Sequence, residues 1–311
     1  MPAIYSKPHL SLTQQLALLK KRSLHVNDDA AALECLHRNG YYRLSAYLYP
    51  FRDLQTDNFL PNSHFEDAQA LYVFDKKIKL LLLDAIERVE IATRAEIALH
   101  LGARDIFAHT KSQFFRSSFT RTNSSGQSKY QTWHNNFNKA VDRSKDEFVL
   151  HYERKYGARS PLPIWIAIEL WDFGLLSHFY SGMTTPDCVA VANRFAIPRW
   201  HLLESWLRCL NYVRNVIAHH GRLWNLNLAD NPKLPQHGLM PDFDALLSLH
   251  NANTRLYSIC CILVHFSKAV NPQSSWPRDL ANHIISFPSI PLVNIQSMGF
   301  PVDWQSHAFW K

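Results

Sequence analysis

The chain has 311 residues, of which 47% are hydrophobic and 19% charged, with a formal charge of +7 at neutral pH. That apolar content fills a sizeable core and excludes global disorder, and the length suits one large helical domain or two modest ones. Glycine occurs only 9 times and nowhere in a closely spaced pair. This excludes GxGxxG and Walker-type loops, whose backbone must approach a phosphate closely.

In chain order, Leu12, Leu16 and Leu19 predict a first helix over Ser11–Arg22, with Ser11 as its cap. A second helix is expected from Asp28 to His37, stopping near Gly40. Tyr41, Tyr42, Leu44, Tyr47, Leu48, Tyr49 and Phe51 follow as an aromatic-rich stretch. It has the chemistry to stack bases, but such clusters more often form core, and core is the expectation here. The longest periodic segment runs from Phe65 to Leu101 and carries Glu90 and Arg94 four apart as a surface pair. A flexible loop near 117–129 precedes a charged helical pattern over Trp133–Tyr156. Ile164–Tyr180 reads as one buried helix with a kink at Gly174, and Asp187–Phe195 as a short one after a turn at Ser181–Pro186. The next helix starts at Pro198 and runs to His219 or His220, with Gly221 expected as its left-handed C′ residue. Phe243–Val270 is the last long helix, and Phe287–Lys311 reads as extended. Strand signals are few, so the fold class is all-α. The expected organisation is an N-terminal helical region (1–64), a helical core (65–275) and an extended C-terminal tail packing on it (276–311).

Five cysteines, Cys35, Cys188, Cys209, Cys260 and Cys261, form no CxxC pair, which argues against a zinc ribbon or redox motif. Scattered thiols fit a reducing cytosol, and a cytoplasmic location is expected. Met1–Leu10 has no signal-peptide core, and no apolar run approaches the length of a membrane span.

The chemistry concentrates in the helix WHLLESWLRCLNYVRNVIAHH. Leu203, Leu207, Leu210, Val213 and Ile217 lie on one stripe and should face the core. Arg208, Asn211, Asn215, His219 and Arg222 follow steps of three or four on another, with no acidic residue among them. A solvent face usually mixes Glu with Lys, whereas this one suits a phosphate. An imidazole exchanges a proton near neutral pH, and a guanidinium holds a phosphate and offsets developing charge. Arg214 reaches the same site as Asn215 and His219, and Asn215 can orient imidazole or ligand. Together they are what the 2′-hydroxyl of RNA needs to attack its neighbouring phosphodiester without a metal. Arg-to-His spacing alone selects nothing, because Arg94–His100, Arg104–His109, Arg194–His201 and Arg278–His283 share it. The ordinary alternative is a basic helix end favoured by the helix dipole.

Leu210-Asn211, Arg214-Asn215, Ala218-His219-His220 and Arg222-Leu223-Trp224-Asn225 resemble the hallmark L-N-x-x-R-N-x-x-A-H-H-x-R-L-W-N of the Abi-like (AbiD/AbiF-type) abortive-infection family. Further blocks match in order. They are Tyr5, Lys7 and Pro8; Gln14-Gln15; Gly40-Tyr41-Tyr42-Arg43-Leu44-Ser45; Phe74-Asp75; and Ile86–Ile91 with Arg94. Pro163, Trp165, Glu169, Phe173-Gly174, Leu176-Ser177 and Met298–Pro301 with Trp304 complete the set. The resemblance implies a HEPN-like helical bundle, homodimerisation, anti-phage defence and a cofactor-free ribonuclease. Arg214, Asn215 and His219 carry over as its catalytic group. His220, Asn211, Arg222, Arg208, Glu90 and Arg94 would bind RNA or support the site. An RNA antitoxin or non-coding RNA partner fits this class. Gly221 stands where some HEPN toxins carry a tyrosine that an antitoxin modifies. The competing readings are a non-catalytic RNA-binding or RNA-sensing module and a regulatory protein–protein adaptor.

Overall fold

A computed structural model describes residues 6, 8–124, 126–157 and 160–311. Tyr5 and Lys7 of the family-like opening and Ser125 of the 117–129 loop lie outside the described residues. Fourteen α-helices and short 3₁₀ turns make up the fold, with only isolated β-bridges besides them among the described residues.

Helix α1 (Leu12–Lys21) opens with a full capping box, in which Ser11 and Gln14 satisfy each other's backbone N–H. Asp28 caps α2 (Asp29–Asn39). Gly40, at φ 76°, makes the left-handed joint into α3 (Tyr41–Leu48). The aromatic stretch divides here. Leu44, Tyr47, Leu48 and Phe51 are buried, but Tyr42 is 91% and Tyr49 49% exposed.

The axis of the molecule is α4 (Phe65–Gly102), which at 38 residues spans about 57 Å. Glu66 and Asp67 in its first turn complement its dipole. Helix α3 packs along it, as do α10 (Thr185–Arg194), α11 (Trp200–Ala218), α13 (Leu256–Val270) and α14 (Trp276–Ile285). Around this frame lie the short α5 (Ser117–Thr120), α6 (Lys129–Arg143), α7 (Glu147–Tyr156), α8 (Ile164–Ala167), α9 (Phe173–Gly182) and α12 (Asp244–Leu247).

Three expected helical segments are interrupted, two of them at polar residues whose side chains bond nearby backbone. Ile164–Tyr180 breaks at Trp171-Asp172, where the Asp172 carboxylate accepts the Leu175 N–H at 2.7 Å and starts α9 afresh. Gly174 is therefore a first-turn residue and not a kink. Trp133–Tyr156 splits at Ser144–Asp146, where Ser144 and Asp146 bond each other. Phe243–Val270 splits where Asn251 turns left-handed at φ 55°. The tail is also less extended than expected. It begins with α14 and continues through 3₁₀ turns that bury Met298, Phe300, Trp304 and Phe309.

Candidate functional site

Helix α11 packs on α9, α10 and α4. Its predicted stripe is fully inside, since Leu203, Leu207, Leu210, Val213 and Ile217 are all buried. Burial of such side chains stabilises by about 1.5–3 kcal/mol each and fixes the rotation of the helix. The opposite stripe must then emerge at its end, where Ala218, His219 and His220 are exposed.

The helix ends differently from the expectation. Its last residue is Ala218, and the left-handed C′ position belongs to His220 at φ 57° rather than to Gly221. The Gly221 N–H donates to the Val216 carbonyl at 2.8 Å and the His220 N–H to the Ile217 carbonyl at 2.9 Å. This is a Schellman closure displaced by one residue. Histidine tolerates the left-handed region better than most residues. Gly221 is needed for proximity instead, because a Cβ there would stand 2.9 Å from Val216 Cγ1 and 3.1 Å from the Val216 carbonyl oxygen.

The loop after the helix is clamped by side chains of which only Arg222 was expected at the site. Asp75 of α4, 0% exposed, accepts the Trp224 N–H at 2.7 Å, the Leu223 N–H at 3.1 Å and the Tyr47 hydroxyl at 2.6 Å. Lys79, one turn on, pairs with Asp75 at 3.2 Å and donates to the Gly221 carbonyl at 3.1 Å. Arg43 of α3 donates to the His220 carbonyl at 2.8 Å. Arg222 turns inward to the Ala46 carbonyl, and burial pulls its pKa down. The signal was present in the sequence, since Asp75 and Lys79 interrupt the apolar stripe Leu71, Phe74, Ile78, Leu82. A buried acid in such a stripe needs partners, and here they are backbone amides of the motif loop.

Within the site, Arg214 Nη1 donates to Asn215 Oδ1 at 3.2 Å. Asn215 thus holds the guanidinium; among the described residues no hydrogen bond joins its carboxamide to the His219 ring, one turn further along the helix. Glu90 of α4 feels the Arg214 charge and forms the intrahelical ion pair with Arg94, but the pair is largely buried and not the surface pair expected. Burial raises the Glu90 carboxyl above its ordinary range, opposed by the charges of Arg94 and Arg214. Arg94 is fixed further by the Trp171 carbonyl. Asn211 lies against Gly174 at the start of α9, where a Cβ would stand 3.7 Å from its Nδ2.

The stripe therefore separates into three parts. Arg214 and Asn215 bond each other in the last turns of α11, His219 and His220 follow them exposed at its end, and Glu90 lies close enough to Arg214 to feel its charge. Arg222 and Asn211 serve packing and loop anchoring. Arg208 lies three turns away and is held in a fork by Asp230 at 2.8 and 2.9 Å, so the expectation of a stripe without an acidic partner is corrected there. Among the described residues, no group of three or more His, Cys, Asp or Glu is placed to share a metal ion. No helix among them is long and apolar enough to cross a membrane.

These features describe an all-helical protein whose distinctive element is an Arg-Asn-His helix end locked to two neighbouring helices. The model of the Abi-like protein family matches residues 34–225, and the chain belongs to that family, which suggests a role in abortive infection and defence. The match spans both the clamp, from Arg43 to Lys79, and the whole of α11 with its loop. No curated protein and no solved structure matches the chain.

Proposed function

We propose that this protein is a metal-independent RNA endonuclease of the HEPN type, acting in abortive infection. The observation that carries the reading is the joint placement of Arg214, Asn215 and His219 at an exposed helix end whose following loop is rigidly held. A catalytic imidazole needs a fixed backbone and an accessible ring, and an open surface suits a polymer. In the proposed reaction a base takes the ribose 2′-hydroxyl proton. The 2′-oxygen then bonds to the adjacent phosphorus, and the 5′-oxygen leaves with a proton. The products are a 2′,3′-cyclic phosphate and a 5′-hydroxyl. Arg214 offsets the charge growing on the phosphoryl oxygens. One imidazole supplies one proton transfer at a time, so two copies of the chain would place two His219 side chains at one scissile bond.

The test is cleavage of single-stranded RNA in EDTA by wild type, Arg214→Ala and His219→Ala, with analysis of the product ends. Cleavage by wild type alone, leaving cyclic phosphate, supports the reading. RNA binding without cleavage by any form favours a non-catalytic RNA-binding module. Cleavage by folded His219→Ala removes that residue from the mechanism.

A further inference from the structure

Beside the helix end lies a surface that the clamp ties to it. Helix α3 presents Tyr42 outward and the 3₁₀ turn that continues it presents Tyr49, 91% and 49% exposed. They are seven positions apart, which puts them on one face about 10 Å from each other. No ring contact or side-chain hydrogen bond engages Tyr42 among the described residues. Arg43, next to it, is exposed and gives one guanidinium N–H to the His220 carbonyl, its others making no hydrogen bond among the described residues. Arg222, which holds the Ala46 carbonyl in the middle of α3, lies close enough to Tyr49 to feel its phenol. Both arginines join α3 to the segment that carries His219 and His220.

The charge of the surroundings selects the ligand. No acidic residue occurs from Cys35 to Arg52, nor from Ser205 to Ala229. The acid beneath, Asp75, is buried and occupied by backbone amides, Tyr47 and Lys79. Beyond Arg52, Asp57 is taken by Arg52 and Arg22. Asp53, just past this stretch, is held by the Gln55 N–H and the Thr56 hydroxyl and is the one nearby acid without a cationic partner among the described residues. An exposed aromatic pair beside arginines, on a stretch that carries no carboxylate of its own, is the pattern that binds unpaired nucleotides. Bases stack on the rings while the guanidinium follows the backbone.

We infer that Tyr42 and Tyr49 form a base-stacking platform that, with Arg43, leads single-stranded RNA to the His219 end of α11. The ligand's identity rests on the ribonuclease reading, but binding is measured separately from cleavage. Being so exposed, Tyr42 can be replaced without touching the core.

The probe is a fluorescein-labelled single-stranded oligouridylate bound to the full chain carrying His219→Ala, so that cleavage does not intervene. Adding Tyr42→Ala should weaken binding about tenfold with an unchanged salt dependence, because stacking releases no counterions. Tyr42→Trp should restore it. Arg43→Ala should flatten the salt dependence by about one phosphate contact. Binding unaffected by Tyr42→Ala and Tyr49→Ala together overturns the platform even if wild type cleaves RNA. Tyrosine-dependent binding by a wild type that never cleaves keeps the platform and defeats the nuclease. If the single-stranded probe is not bound at all, both are lost.

Discussion

Two histidine environments in this molecule are opposites. His219 closes α11 with its backbone bonded and its ring in solvent. His109, only 1% exposed, sits under α6, edge-on to Phe137 and near Trp171, with Nδ1 lacking a partner. Burial lowers its pKa to about 4. Both lie five residues after an arginine, so spacing treats them alike. The difference is what surrounds each: an aromatic core encloses one imidazole and lowers its pKa, and a clamp of α3 and α4 side chains holds the backbone beside the other while its ring faces solvent.

The contrast can be broken most strongly at the clamp. Asp75→Ala removes the acceptor of two loop amides and of Tyr47 and leaves Lys79 unpaired. It should cost about 3–5 kcal/mol, read from urea unfolding. Gly221→Ala presses a methyl against Val216 and should cost about 1–3 kcal/mol by the same measurement.

His109 sharpens the other side. Its folded pKa is depressed from 6.5 to about 4, so the unfolded chain takes up the proton first. The stability it confers is complete above pH 6.5 and is lost as pH falls toward 4. Between pH 7 and pH 5 the loss should be about 2 kcal/mol. His109→Phe should remove that part of the acid sensitivity, seen as a smaller shift of the urea midpoint between the two pH values. The smallest effect on stability belongs to His219→Ala, within about 0.5 kcal/mol of wild type, because its ring supports nothing in the fold.

The sequence revealed what periodicity records. Leu203 to Ile217 announced the buried side of α11, and the Phe65–Leu101 pattern announced α4 almost to the residue. Local polar competition was harder to read. Asp172 was visible as a residue but not as the cap that divides Ile164–Tyr180, because the apolar run on both sides masked it. The site was legible as a stripe, yet a stripe cannot say which members remain free. Arg208 met Asp230, 22 positions away, and Arg222 met the Ala46 carbonyl, 176 positions away. Asp75 has main-chain amides of the motif loop as partners, which no side-chain pattern encodes.

We propose that an imidazole made accessible by a rigid backbone performs chemistry on RNA. It is tested most directly by incubating single-stranded RNA in EDTA with wild type and His219→Ala, after confirming equal thermal stability, and assaying for 2′,3′-cyclic phosphate ends. Cyclic ends are expected from wild type and at least about a hundredfold fewer from the variant, on the order of the usual contribution of general acid–base catalysis. Equal cleavage by the two proteins, or none by wild type while it binds the RNA, would contradict it.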